Sequence, residues 1–510
     1  MGVVRRNLIA RLVAVIVLSA ACAQDTKGPQ ATPSPSRSVS PTATAVPTTS
    51  AVSPGRLSAW RGCKDGFECA TLTAPLDNAD PSKGTIALAV TRHRASARNR
   101  IGSLLVNPGG PGASAVEFLQ DNMSGIFPAD IRSRFDLVAF DPRGVGQTAP
   151  VRCLSTSELD RYFHLDPTPD DAAEQRAYEA GNKTLAAGCV AKSARVLPYV
   201  NTMVVAQDME RLRLALKEPA LNYLGYSYGT AIGAAYLDQF PSSVRAMVLD
   251  GAIDPTLTWD QLLVGQSKGF DVALAAFLKD CERTSCEFRR TVRGDLLAAY
   301  DALAAKVERS PLPGDGRRTV GPGEFSLGVG DGLYSRDFGW PQIASALARA
   351  QKGEGAELLA MNDSYLQRTD KGYANITEAN IAVNCTDRPW PKQSAPYVAL
   401  ARDVAKTSPR FGPAISLSGL SCAAWPVPAV GKPHKVVAAS SPPIVVIGTT
   451  RDPATPYVWS QGLARQLANG ILLTYDGDGH TVYRAGAPDC IVDPVRDYLI
   501  SLAAPEPTRC

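Results

Sequence analysis

Histidine is scarce in this sequence: His93, His164, His434 and His480 are the only four among 510 residues, and they are scattered. Scattered histidines do not build the clustered ligand set of a zinc site, so no metal is expected. An excess of charge is also missing. The 53 basic and 49 acidic side chains leave a net +4, which describes neither a nucleic-acid binder nor a polybasic membrane surface. There is no dinucleotide fingerprint, and the one early glycine-proline loop has no Lys-Ser/Thr pair after it to make a phosphate cradle. No cofactor and no nucleic-acid partner are therefore expected. Internal repeats are absent as well. What remains is an ordinary globular composition, 45% hydrophobic, long enough for one large domain with an insertion.

The first 22 residues read as a targeting segment. Arg5, Arg6 and Arg11 precede an apolar run over residues 12–20 that is too short to span a bilayer and ends in small residues. Leu18-Ser19-Ala20-Ala21-Cys22 looks like a lipobox, in which Cys22 would be lipidated after cleavage; a plain secretory signal is the other reading. Residues 23–56 are rich in Pro, Ser, Thr and Ala and poor in large apolar side chains, which predicts an unfolded tether. Cysteine use agrees with export. If Cys22 carries lipid, 10 of the 11 cysteines remain, an even number suited to structural bridges in an oxidising compartment. Spacing favours the local pairs Cys63–Cys69, Cys153–Cys189, Cys281–Cys286, Cys385–Cys422 and Cys490–Cys510, one connectivity among many. Membrane contact is expected only through an N-terminal lipid, and the chain is expected to be a monomer.

From residue 57 onward strand and helix patterns alternate. Strands are predicted at 85–90, 103–106, 135–140, 221–224 and 245–249, with helices at 203–216 and 230–240. Residues 256–437 then read as mainly helical, broken by a Pro/Gly-rich stretch at 310–323, before strands return at 443–448 and 471–475. The expected architecture is α/β: a mostly parallel sheet with helices on both faces. Its core spans 57–255 and 438–510, and a large helical cap (256–437) is inserted before the last two strands.

Gly225-Tyr226-Ser227-Tyr228-Gly229 matches the G-x-S-x-G nucleophile elbow, where glycines let a sharp strand-to-helix turn present the serine hydroxyl. The motif is short enough to arise by chance, and a second copy, Gly265-Gln266-Ser267-Lys268-Gly269, does occur. Context separates them. Ser227 lies between a predicted strand and a predicted helix; Ser267 lies inside a helical pattern and reads as a helix-surface serine. Ser227 is the expected nucleophile, and such an elbow between strand and helix makes an α/β-hydrolase fold the expected architecture.

A serine nucleophile needs a base. In this fold the order along the chain is serine, acid, histidine. His93 and His164 come too early, and His434 precedes the penultimate strand. His480, in the small-residue loop Asp476-Gly477-Asp478-Gly479-His480 after the last predicted strand, is the expected base. Asp452, after the strand before that one, is the expected acid that holds the imidazole tautomer. Asp250 and Asp254, after the strand that follows the nucleophile, compete for that role. Asn107-Pro108-Gly109-Gly110-Pro111-Gly112 follows an early strand. Together with the amide of Tyr228, an N–H of Gly109 or Gly110 is expected to bind the oxyanion. In the cap, a Cys385–Cys422 bridge would fix Asp387. An acid near the active site could bind a peptide's α-ammonium; a surface aspartate beside a structural bridge is the bland alternative.

These segments, with Asp141-Pro142-Arg143-Gly144, Leu249-Asp250-Gly251, residues 422–428 and Asp452-Pro453-Ala454-Thr455-Pro456, resemble the exported tripeptidyl-aminopeptidase-like serine hydrolases of actinobacteria. Those are relatives of proline iminopeptidases, and the likeness is greatest to the mycobacterial cell-envelope lipoprotein proteases of the group. The resemblance covers most of residues 57–510. It implies release of short peptides from free amino termini, supports Ser227, Asp452 and His480 as a triad, and supports the Cys385–Cys422 bridge. One departure is Pro108, where proline iminopeptidases carry histidine; their amine-binding acids have no matched position here. An envelope esterase or lipase with the same triad is the alternative. The intact serine, acid and histidine argue against a catalytically dead binding scaffold.

Overall fold

The structure, a computed structural model, describes residues 52–510. The expected targeting segment with Cys22, and the tether as far as residue 51, lie outside the described residues. The last tether residues do not fit that expectation. Arg211 Nη1 donates to the Ser53 carbonyl at 2.9 Å, and Arg56–Leu57 pairs antiparallel with Glu68–Pro75, so the domain begins slightly before Leu57.

One eleven-stranded sheet organises the core. Its central strands run parallel in the order Phe135–Phe140, Gly102–Asn107, Leu221–Tyr226, Val244–Asp250, Ile444–Arg451, Gly470–Asp478. Thr85–His93 and Glu68–Pro75 continue it antiparallel on one side. The two-residue strand Thr508–Arg509 closes the other. Strands covered on both faces are expected to be apolar throughout. Gly102–Asn107 and Leu221–Tyr226 are fully buried along their length, with alternate residues serving opposite layers. Leu104, Val106, Val445 and Ile447 pack with helices Ala115–Ile126 and Asp489–Ser501. Leu105, Tyr223, Met247 and Val446 pack with helices Thr202–Ala215, Tyr228–Gln239 and Tyr457–Gln466.

Between Val244–Asp250 and Ile444–Arg451 the chain is almost wholly helical, from Trp259–Thr284 to Leu420–Ala423. This cap has its own core of Phe270, Phe277, Leu303, Val329, Ile343 and Leu347. The Pro/Gly-rich stretch forms a small hairpin, Leu312–Pro313 with Thr319–Val320. Two helices outside the expected pattern, Thr156–Phe163 and Ala172–Ser193, also join the cap side, and Tyr178 packs with Tyr397 and Leu420. No described helix is long and apolar enough to cross a membrane. All five disulfides form between the pairs favoured by spacing.

The Asp141-Pro142-Arg143-Gly144 segment explains how the glycine loop is held. The Asp141 carboxylate accepts from Ser114 Oγ (2.8 Å), the Val116 N–H (3.1 Å) and the Gln147 N–H (2.8 Å), pinning the start of the helix that follows the loop. Arg143, wholly buried, forms a two-pronged pair with buried Asp208 (2.6 and 2.9 Å) and donates to the carbonyls of Pro75 and Leu76. Removing one member of a buried pair strands the other charge. Asp208→Ala is therefore expected to destabilise the protein by about 3–5 kcal/mol, read as a lowered urea midpoint. Replacing Arg143 and Asp208 together by apolar residues of similar volume should recover much of that loss.

Candidate active site

Ser227 stands at the end of the strand Leu221–Tyr226 with φ 52° and ψ −124°, and the helix Tyr228–Gln239 starts at the next residue. A positive φ at a non-glycine residue costs on the order of 1–3 kcal/mol and persists only where its surroundings enforce it. Here they do: the Ser227 N–H donates to the Asp250 carbonyl at 2.9 Å, and the Ser227 carbonyl accepts from the Thr230 N–H (2.9 Å) and Oγ1 (2.6 Å). A Cβ on Gly225 would lie 2.6 Å from the Gly229 carbonyl, and one on Gly229 would lie 2.7 Å from the Asn107 carbonyl. The two glycines thus let strand, helix and glycine loop converge. Ser227 alone of residues 221–230 is not fully buried.

The expected acid and base come from neighbouring strand ends. Asp452, 2% exposed, follows Ile444–Arg451; its carboxylate accepts from the N–H groups of Ala454 (2.9 Å) and Thr455 (2.8 Å) and from Thr455 Oγ1 (3.1 Å). His480 Nδ1 lies 2.9 Å from both of its oxygens. Every close partner of that carboxylate is a donor, so Nδ1 carries the proton and Nε2 is left with its lone pair. Burial works against a charged His480 ring, but the charge and hydrogen bond of Asp452, helped by Asp250, outweigh it and hold the pKa above the ordinary imidazole value. The end of Val244–Asp250 lies beside both Ser227 and His480. The Asp250 carbonyl holds the Ser227 N–H, and a Cβ on the next residue, Gly251, would lie 3.4 Å from His480 Cε1. The strand before His480 runs on through Asp478, longer than expected, because Arg451 pairs with both Asp476 and Asp478.

The glycine loop lies against the elbow. Gly109 has φ +96°, and a Cβ there would meet the Tyr226 carbonyl at 2.6 Å, the Tyr228 nitrogen at 2.8 Å and Ser227 Cβ at 2.9 Å. Of the two glycines expected as alternative donors, Gly109 gives its N–H to Asn107 Oδ1 at 2.9 Å. The N–H of Gly110 makes no protein hydrogen bond among the described residues.

The competing acids have other partners. Asp250 is fully buried and binds the backbone of the histidine loop through Val482 and Tyr483. Asp254 closes a turn on Thr256 and accepts from Gln466. His164 contacts Glu324, and His434 contacts Asp238. Ser267 lies in the helix Trp259–Thr284 but is fully buried, contrary to the surface position expected, with Oγ donating to the Leu263 carbonyl at 2.7 Å. The glycines around it are packing contacts: a Cβ on Gly265 would strike Trp459 at 2.4 Å and one on Gly269 the Pro453 carbonyl at 2.4 Å. This second motif seats the cap on the acid loop.

Asp387 is half-buried, and its two oxygens accept from the N–H (2.7 Å) and Oγ1 of Thr202. Burial pushes its pKa up to about 6, against the Thr202 hydrogen bonds and Arg388. It cross-links the cap to the helix Thr202–Ala215. Its own helix, Ile376–Asp387, presses on the glycine loop: a Cβ on Gly112 would lie 2.3 Å from the Ile376 carbonyl, and Asn380 Nδ2 donates to the Pro111 carbonyl at 3.2 Å.

Sequence reasoning missed Tyr334. Its carbonyl accepts the His480 N–H at 2.8 Å, and its ring stands edge-on to the imidazole with centroids 5.2 Å apart. A tyrosine at the end of a cap helix has no local pattern that marks it; only the tertiary contact does.

Residues 408–510 match the family described as TAP-like protein. Over nearly the whole chain there are longer likenesses. The serine protease Hip1 of Mycobacterium tuberculosis is 38% identical over 465 residues, covering 86% of this chain and 86% of that one. Carboxylesterase B of the same organism is 36% identical over 470 residues, covering 89% of each. The tripeptidyl aminopeptidase of Streptomyces lividans is 32% identical over 450 residues, covering 85% of this chain and 82% of its own.

Proposed function

Since the chain belongs to the tripeptidyl-aminopeptidase-like family of serine hydrolases with the α/β-hydrolase fold, we propose that it is an exported serine peptidase releasing di- or tripeptides from free amino termini. The observation that carries this reading is the Asp452–His480 pair, hydrogen-bonded at 2.9 Å, set beside a strained serine elbow under a helical cap.

In this reading Ser227 Oγ attacks the scissile carbonyl while His480 Nε2 takes its proton. Asp452 keeps Nδ1 protonated and stabilises the imidazolium. The negative oxygen of the tetrahedral intermediate is met by the N–H groups of Tyr228 and Gly110, donors that are in place before the charge develops. Collapse passes the proton from His480 to the leaving amine and leaves the released peptide's carbonyl as an ester on Ser227. Water, deprotonated by His480, then cleaves that ester. The cap limits how much chain can enter.

Five disulfides fit a protein exported to an oxidising compartment. Anchoring through a lipid on Cys22, and a monomeric state, complete the proposal. The likeness to a carboxylesterase favours one alternative: ester hydrolysis by the same triad.

The test is a substrate panel on the purified protein: a tripeptide chromogenic amide with a free amine, the same amide N-blocked, and a short-chain ester. Cleavage of the free-amine peptide, with the blocked one reduced by about 100-fold or more through loss of the ammonium contact, is the expected outcome. Equal cleavage of the blocked peptide removes the aminopeptidase reading, and cleavage of the ester alone replaces it with an esterase.

A further inference from the structure

Asp250 is a carboxylate that the triad does not use, yet it touches both halves of the site. It ends the strand Val244–Asp250, between the elbow strand Leu221–Tyr226 and the acid strand Ile444–Arg451, and is 0% exposed. Its carbonyl accepts the N–H of Ser227 at 2.9 Å. Its side chain points the other way along the site: Oδ2 accepts the N–H groups of Val482 (2.8 Å) and Tyr483 (2.7 Å), the second and third residues after His480. A further tie runs parallel to it, from Tyr226 Oη to the Tyr483 carbonyl at 3.0 Å. The histidine loop needs such ties. Thr481 sits at φ 61°, a left-handed conformation for a β-branched residue, which is held only by its surroundings.

The other carboxylate oxygen, Oδ1, is buried without a hydrogen-bond partner. A neutral residue of the same shape would accept from the same two backbone donors without burying a charge, so the carboxylate costs free energy that the fold alone does not require. A carboxylate close to an imidazole that must become cationic provides a use for it.

We propose that Asp250 is a positioning residue for His480: one side chain that fixes the histidine loop relative to the serine elbow and adds a second negative charge behind the acid–base pair. Asp250 is thus not a competitor of Asp452. Asp452 holds the ring by its Nδ1 proton, and Asp250 holds the backbone that carries the ring. This inference rests on the triad reading above.

The electrostatic part has a definite sign. The titratable groups facing the imidazole are Asp452 from the acid loop, Asp250 from the adjoining strand and Tyr334 from the cap; the Tyr226 phenol faces Asp250. Burial pushes the Asp250 pKa up to about 6, opposed by the Tyr483 and Val482 N–H groups and by His480. Above that pH its charge favours the imidazolium, so removing it must lower the His480 pKa and let His480 act as a base at lower pH.

Two variants in the full-length protein test this. Asp250→Asn keeps an oxygen for Val482 and Tyr483 but removes the charge; Asp250→Ala removes both. Ring titration of His480 by NMR, resolved among only four histidines, should show its pKa lowered in Asp250→Asn by on the order of one unit. The acid limb of the pH profile for fluorophosphonate labelling of Ser227 should move the same way. Asp250→Ala should lower kcat by about 100-fold through misplacement of the base, with KM little changed, and Asp250→Asn should recover most of that loss. An unmoved His480 titration in a folded Asp250→Asn, or a kcat in Asp250→Ala equal to wild type, overturns the proposal. If Asp250→Ala does not fold, the Asparagine variant alone decides. If wild-type Ser227 is not labelled at any pH, it is the triad reading that fails, and the NMR titration still reports on the Asp250–His480 contact.

Discussion

Ser227→Ala is expected to reduce hydrolysis by about 10⁵-fold or more and to abolish covalent labelling by a fluorophosphonate, with no loss of stability. The reason for expecting a clean effect lies in the elbow's construction. The hydrogen bonds that enforce its unusual backbone use the Ser227 N–H and carbonyl, with Asp250 and Thr230 as partners, and none of them uses Oγ. Alanine therefore inherits the same backbone constraint and loses only the nucleophile. Turnover with the preferred substrate, labelling, and an unfolding midpoint should be measured together. Activity within tenfold of wild type, in a protein of unchanged midpoint, would mean that another residue is the nucleophile. Ser267 could not take over. Its hydroxyl is buried inside a helix and bonded to the Leu263 carbonyl, with no base beside it.

The second large effect is expected at Asp452. Its oxygens are surrounded by donors: the backbone N–H groups of Ala454, Thr455 and Thr481, the Thr455 hydroxyl and His480 Nδ1. Asparagine preserves the shape but introduces an NH₂ where an acceptor is required. The amide oxygen will turn toward the Ala454 and Thr455 N–H groups, which are fixed in the chain, and present the NH₂ to His480. The imidazole then accepts at Nδ1 and carries its proton on Nε2, the atom that should receive the proton of Ser227. A loss of about 10⁴-fold in kcat follows from this wrong tautomer, with KM nearly unchanged because no substrate contact is altered. A loss confined to KM would show that Asp452 acts on substrate rather than on His480. Partial recovery at alkaline pH, where hydroxide can replace the base, would support the tautomer account.

The parts of this architecture that announce themselves in sequence are those set by local chemistry. The parallel strands are legible because burial on both faces makes them apolar runs, as in residues 103–106 and 135–140. The elbow is legible because its glycines are demanded by contacts at 2.6–2.7 Å. The scarcity of histidine narrows the base to His480. Other elements give no such sign. Glu68–Pro75 pairs at the side of the sheet with only Leu72 and Ala74 buried, so its small, polar residues do not read as a strand. In Ala172–Ser193 few side chains are buried, and its alanines and charges carry little periodic contrast. The contribution of Tyr334 is a tertiary fact. So is the fate of Asp387, whose oxygens meet a threonine nearly two hundred positions earlier in the chain.

The cap touches the catalytic loops at three separate places. Ile376–Asp387 bears on Pro111 and Gly112, the glycine face of Trp259–Thr284 bears on Pro453, and Tyr334 bears on His480. A lid standing on three legs cannot be transplanted like a module. A chimera that received another relative's cap on this core would mismatch at the glycine loop, the acid loop and the histidine loop at once, and would lose rate before it gained a new specificity. Exchange of substrate preference within such a scaffold has to proceed by changing residues between the legs, or by moving the cap together with the three loops it rests on.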